Sequence, residues 1–204
     1  MLLVGLTGSY GMGKSLVLSQ FDHLGAVTLD SDKIVASLLS QPDVLEKIRG
    51  ITGSEAFNAD GRLNKKKVAD LIFKNDIVKS SLENLLHPLV FERIEDFLKT
   101  LRNKEAVVVV EVPLLFERGH EKRFDRTITV YTDIETALQR LEKDGVTREE
   151  AMQRLRSQLP VEEKMKKSDF FIHNDDTPSG TLAQVNSLYE KLLQEAHIGN
   201  NKRD

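Results

Sequence analysis

The chain opens on a short apolar run, Leu2-Leu3-Val4-Gly5-Leu6, that ends in a glycine-rich turn. Val17, Phe21 and Leu24 then recur at helical spacing until Gly25 stops the run. This pattern predicts strand, loop, helix. Ala26-Val27-Thr28-Leu29 reads as a second short strand, closed by Asp30-Ser31-Asp32, whose side chains are of the kind that cap a helix. From about Lys33 to Lys104 the period turns helical, with Val68, Leu71 and Ile72 on one stripe and Leu82, Leu85, Leu86, Leu89 and Val90 on another. An inserted helical lobe is expected there. Ala106-Val107-Val108-Val109-Val110 is a continuous apolar, β-branched run, as expected of a strand buried on both faces of a parallel sheet. Thr127–Tyr131 and Phe170–Ile172 read as fourth and fifth strands, and the charged stretch 135–167 between them as a mobile helical lid. Strands alternating with helices predict an α/β fold with a doubly wound, five-stranded parallel sheet, in which ligands bind at the carboxyl ends of the strands. The expected organisation is a single domain over 1–204: a core of 1–32, 105–134 and 168–204, a helical lobe over 33–104 and a lid over 135–167.

Composition narrows the function. The 204 residues are 40% hydrophobic and 30% charged, with a formal net charge of -3, so one main core is expected and no basic excess favours nucleic acid as a partner. No apolar run approaches the roughly 20 residues of a membrane helix, and Met1–Leu6 is too short and lacks the basic flank of a signal peptide. A cytoplasmic protein without a membrane partner is expected. The absence of cysteine removes disulfides, thiolate nucleophiles and cysteine-based zinc sites. The five histidines are scattered, with no HExxH-like spacing.

Gly8-Ser9-Tyr10-Gly11-Met12-Gly13-Lys14-Ser15 matches the phosphate-loop pattern G-x-x-x-x-G-K-[ST] between a strand and a helix, the context that pattern requires. At average composition such a match would arise by chance in only about one chain in a hundred of this length. The glycines let successive N–H groups turn toward phosphate oxygens, and the helix N-terminus adds partial positive charge. In this pattern Lys14 bridges the β- and γ-phosphates of ATP, the Ser15 hydroxyl ligates Mg²⁺, and Leu16 follows on the helix. A P-loop fold is implied, with nucleotide binding but no particular reaction.

Asp30 and Asp32 stand two apart where the second strand ends, so on an extended chain both carboxylates face the same way beside the phosphate site. Either could take a proton from a substrate hydroxyl, and either could serve as a helix cap.

Gly5-Leu6-Thr7-Gly8, the phosphate loop, Leu29-Asp30-Ser31-Asp32, His87-Pro88, Pro113-Leu114-Leu115-Phe116-Glu117 and Gln158-Leu159-Pro160 through Lys164 occur in the order and spacing of the dephospho-CoA kinases. Over essentially its whole length the chain resembles that family. The resemblance implies transfer of the ATP γ-phosphoryl group to the ribose 3′-hydroxyl of dephospho-CoA, the last step of CoA synthesis. It implies Asp32 as catalytic base, with Thr7, His87, Pro113, Leu114 and Leu115 near the acceptor. Arg140, Arg154 and Lys164 match basic lid positions able to close over ATP, and Asn174 a position near adenine. Departures exist. Ser15-Leu16 replaces the usual Ser-Thr, and Glu111 replaces an Asp at the end of the third strand, keeping a carboxylate that could hold Mg²⁺. Lys143 and Lys65 stand where arginines are usual, which forfeits bidentate phosphate contacts.

Lys65-Lys66-Lys67 could steer an anionic substrate or form a solvated face. Asn201-Lys202-Arg203-Asp204 spells the guanine-reading NKxD pattern, yet no strand precedes it, and it reads as a frayed tail. The expected function is dephospho-CoA kinase, acting as a monomer or weak homo-oligomer. The rivals are a P-loop kinase for a nucleoside, nucleotide or shikimate-like alcohol and, from another class, a nucleotide-binding switch.

Overall fold

The computed structural model describes residues 1–101, 106–174 and 177–200. Five strands, β1 (Leu2–Thr7), β2 (Val27–Asp30), β3 (Val107–Glu111), β4 (Arg126–Tyr131) and β5 (Phe170–His173), pair in parallel in the order β2-β3-β1-β4-β5. The run Val107–Val110 lies at most 1% exposed, because β3 has strands on both sides and covered faces. Register aligns Asp30, Glu111, Leu6, Ile128 and Phe170 in one row across the sheet. The loop that follows β1 therefore leaves the sheet beside the carboxyl ends of β3 and β4.

Helices α1 (Lys14–His23) and α9 (Pro178–Asn200) pack on each other and on β1 and β3. Their apolar stripes, Val17, Leu18 and Phe21 from α1 and Val185, Tyr189 and Leu192 from α9, meet Val4, Leu6, Val107, Val109, Ile128 and Val130 in the main core. Phe21 and Tyr189 meet edge to face with ring centroids 6.2 Å apart, and burial raises the Tyr189 hydroxyl above its ordinary pKa.

The charged stretch 135–167 is built as three short helices, α6 (Ile134–Lys143), α7 (Arg148–Arg156) and α8 (Val161–Lys167). Asp133 caps α6 by accepting the Thr136 N–H, and hydrogen bonding to Thr136 holds its carboxyl below the usual range. Thr147 and Glu150 form a reciprocal capping box on α7. These helices cluster with the sheet in one compact unit, Met1–Asp30 with Leu101–Asp204, and do not form a third unit of their own.

Ser31–Thr100 forms the second unit, made of α2 (Ser31–Leu38), α3 (Pro42–Thr52), α4 (Lys65–Lys74) and α5 (Asp76–Thr100). Its core gathers Val44, Ile48, Ala56, Phe57 and Leu82, and α5 packs against α2, α3 and α4. The boundaries fall a few residues before the expected 32/33 and 104/105. Ser31 and Asp32 already belong to α2, whose partner is α5. Glu105, where the second core segment was expected to begin, the tail Asn201–Asp204, and Asp175 and Asp176 after Asn174 lie outside the described residues.

Candidate active site

The glycines of the loop at the end of β1 have structural reasons. Gly13 closes the loop at φ 84°, a left-handed conformation that favours glycine, and forms the N-cap of α1. A side chain at Gly8 would collide with the Val130 carbonyl of β4. Among the described residues no side chain caps α1, and its first turn carries no acid. Leu16 and Val17 donate to the Gly13 carbonyl, at 3.2 and 3.3 Å, so the N–H groups of Gly13, Lys14 and Ser15 precede the first intrahelical bond. Three amides and a helix dipole thus present positive potential where an anion would sit. Lys14 folds back, with Nζ donating to the Ser9 carbonyl at 3.2 Å. Met12 is buried and its N–H donates to the Ser9 carbonyl at 3.3 Å, while Ser15 and Leu16 are exposed.

Around this loop the structure gathers groups from distant parts of the chain. Asn174, 4% exposed at the end of β5, donates from Nδ2 to the Met12 carbonyl at 3.0 Å and accepts the Thr181 hydroxyl on Oδ1 at 2.9 Å. The amide, for which the family resemblance implies a position near adenine, is thus bonded within the protein at both ends. Arg140 donates from Nη2 to the Asn174 carbonyl at 2.6 Å, and its Nη1 is buried without a hydrogen-bond partner among the described residues. That unpaired donor lies on the Gly13 side of the loop. Arg154 covers the ring of Tyr10, its guanidinium carbon 4.9 Å from the centroid, and the Tyr10 N–H donates to Gln158 Oε1 at 3.0 Å. Lys164 is not a free lid cation: it is wholly buried and ion-paired with Glu117 at 2.8 Å.

On the acceptor side, Thr7 is buried and its hydroxyl donates to the Pro113 carbonyl at 3.1 Å. Glu111 is 7% exposed at the end of β3. Pro113 and Leu114 are half-buried, but Leu115 is wholly buried beside Gly5, its side chain in the core and its carbonyl accepting the His120 N–H at 2.9 Å. Asp30 ends β2 opposite Glu111. The pleat stops there: α2 starts at Ser31, so the expected alignment of the Asp30 and Asp32 carboxylates along an extended strand does not arise.

In the helical unit, Asp32 is exposed in the first turn of α2, and His87 is half-buried on α5 beside Pro88. The lysine run opens α4, capped by Asn64, and Lys67 Nζ is bonded to the Phe57 carbonyl at 2.7 Å. Sequence reasoning did not reach Tyr10, Glu117 or Thr181 as site-building residues. Tyr10 and Glu117 lie inside motifs read from the sequence but meet partners 148 and 42 residues away, and Thr181, seven residues after Asn174, carries no motif.

A five-stranded parallel sheet carrying this loop on its central strand is a P-loop nucleotide-binding fold, and the fold is similar to that of shikimate kinase from Acinetobacter baumannii, with a TM-score of 0.53 over 96% of this chain and 94% of that one at 17% identity. Residues 2–179 match the family model for dephospho-CoA kinase. The chain belongs to the dephospho-CoA kinase family. It is 34% identical to the dephospho-CoA kinase of Aquifex aeolicus, covering 94% of this chain and 98% of that one, and 37% identical to the Listeria monocytogenes enzyme, covering 94% and 97%. Among solved structures, the dephospho-CoA kinase from Campylobacter jejuni superposes with a TM-score of 0.69 at 26% identity, over 95% of this chain and 98% of that one. No helix among the described residues is long and apolar enough to cross a membrane.

Proposed function

We propose that this chain transfers the γ-phosphoryl group of ATP to the ribose 3′-hydroxyl of dephospho-CoA, releasing ADP and CoA. The observation that carries this reading is the uncapped N-terminus of α1 within an intact phosphate loop, in a chain that belongs to this family. The Gly13, Lys14 and Ser15 amides bind the β- and γ-phosphates, and the Lys14 ammonium neutralises charge that builds up as the bond to ADP breaks. Arg140 turns its unpaired Nη1 toward the nucleotide. Asp32 orients the acceptor hydroxyl and takes its proton as the new P–O bond forms. Thr7, Pro113 and Leu114 of the first unit, and His87 of the second, are proposed to bind the acceptor.

The Ser15 hydroxyl and Glu111 carboxylate are hard oxygen donors at the carboxyl edge of the sheet, and one or two such ligands plus nucleotide phosphates is the usual setting of Mg²⁺. When bound, the ion supplies further charge neutralisation on the phosphates. The enzyme is proposed to work in the cytoplasm as a monomer or weak homo-oligomer, independent of nucleic acid.

The test is mass spectrometry of dephospho-CoA incubated with the protein and MgATP, beside a panel of nucleosides, nucleotides and shikimate. A gain of one phosphoryl group on the ribose 3′ position of dephospho-CoA is the expected result. Untouched dephospho-CoA with turnover of another alcohol overturns the acceptor assignment.

A further inference from the structure

Lys164 has no exposed surface, and its ammonium lies 2.8 Å from Glu117 Oε1 and 3.3 Å from the Pro113 carbonyl. The same Glu117 oxygen accepts the Leu159 N–H at 3.0 Å. The Pro113 carbonyl is shared with the Thr7 hydroxyl, which reaches it from the end of β1 at 3.1 Å. One residue before Leu159, Gln158 Oε1 holds the backbone N–H of Tyr10, inside the phosphate loop, at 3.0 Å. The segment from Gln158 to Lys164 is therefore a crossbar. One end fixes the phosphate loop and the other fixes the turn at Pro113–Glu117.

A buried ion pair of this kind is weak support for stability, because apolar residues of similar volume often replace such a pair without loss. What the pair does supply is geometry: a bare ammonium and carboxylate cannot stay buried apart, so each dictates where the other sits. We propose that Glu117 and Lys164 are positioning residues for phosphoryl transfer, which set the phosphate loop through Leu159, Gln158 and the Tyr10 amide. Neither touches nucleotide or acceptor. The pair holds the crossbar, and the crossbar holds Tyr10 two residues before Met12, whose carbonyl is fixed from the other side by Asn174. This inference rests on the phosphoryl-transfer reading of the site.

The experiment compares Lys164→Met, Glu117→Gln, the double variant and Gln158→Leu in the full chain. Thermal melting, ATP dissociation constant by calorimetry, and kcat and KM for both substrates are measured. Each single change at the pair strands a buried partner, so melting temperature and turnover both fall. In the double variant no charge is stranded, but without the ammonium nothing fixes where the side chain at position 117 sits, so the Leu159 contact loses its register. The double variant's melting temperature returns toward that of the parent while kcat stays depressed by about tenfold or more, as displaced reacting groups require. Gln158→Leu leaves the ion pair intact, melts normally and weakens ATP binding by about tenfold, on the same geometric ground.

A double variant with parental kcat overturns the proposal, as does Gln158→Leu with ATP affinity within about twofold of the parent. If the double variant does not fold, Gln158→Leu alone decides. Calorimetric ATP binding needs no acceptor. A wrong acceptor assignment would therefore show as parental protein that leaves dephospho-CoA unchanged, and failure of this inference as variants that bind ATP normally.

Discussion

The side-chain amide of Asn174 donates to the carbonyl of Met12 at 3.0 Å, and its oxygen is held in turn by the Thr181 hydroxyl at 2.9 Å. The Met12 carbonyl fixes which end of the amide faces the loop, since a flipped amide would set its oxygen against it, and the Thr181 hydroxyl then donates to the end that remains. A brace and a base-reading residue make different forecasts. Asn174→Ala is expected to weaken ATP and GTP binding by a similar factor, about tenfold, because a loosened loop misplaces amides that meet phosphates rather than the base. Thr181→Val should lose less. Calorimetric titration with both nucleotides checks this, and a loss confined to ATP would return Asn174 to an adenine contact.

Gly13 and Asn174 should also be coupled. A side chain at Gly13 would meet the Asn174 amide, and φ of 84° adds the left-handed penalty. Gly13→Ala is expected to destabilise by more than the ~1–2 kcal/mol of that conformation alone. In an Asn174→Ala background the collision disappears, so the cost of the same change should drop to about that conformational penalty. Denaturant unfolding of the four proteins measures the cycle; additive effects would mean that the loop relaxes away from Asn174.

The elements legible in sequence were those whose signals are local. Val107–Val110 announced a buried central strand because every residue of the run is covered, and the phosphate loop announced itself because glycine is the residue that tolerates its turns. Strand ends shifted by a residue, as at β2, where Asp30 closes the strand and Ser31 already begins α2. Legibility failed where a residue's role depends on a remote partner. Lys164 reads as one more charge in a charged helix, yet Glu117 draws it wholly inside. Leu115 fits a substrate motif, but Gly5 leaves room beneath it and the side chain fills the core. For Asn174 the spacing shows only that it follows β5, not that Met12 and Thr181 wait on either side of its amide.

Lys14 supplies a test of the loop's chemistry apart from its shape. Lys14 is half-buried, its ammonium donates to the Ser9 carbonyl, and its side chain is no part of the hydrophobic core, so truncation opens no core cavity. Lys14→Ala is therefore expected to melt near the parent temperature while kcat falls by on the order of 10² to 10³, the usual result of deleting a donor to developing charge. Steady-state kinetics beside thermal melting checks it. Turnover within about threefold of the parent would mean that phosphate is not transferred at this loop.

Asp32 gives the sharpest contrast, because a helix-end charge and a proton acceptor make different forecasts for one isosteric change. It sits exposed in the first turn of α2, a position where an acid favours the helix end. If that is its whole role, Asp32→Asn loses only the charge–dipole contribution, about 0.3–1 kcal/mol, and nothing in rate. As the base, the same change leaves fold and ATP binding intact but deprives the acceptor hydroxyl of its proton acceptor, and kcat should fall by about 10² or more. Asp30→Asn is the matched control: Asp30 ends β2 opposite Glu111, two residues away in sequence but on the strand rather than the helix. Melting temperature, ATP affinity and kcat are measured on both variants. A collapsed rate at Asp32 with normal melting and ATP binding assigns the base, whereas an unimpaired rate there, or a larger loss at Asp30, moves the proton acceptor to the strand end.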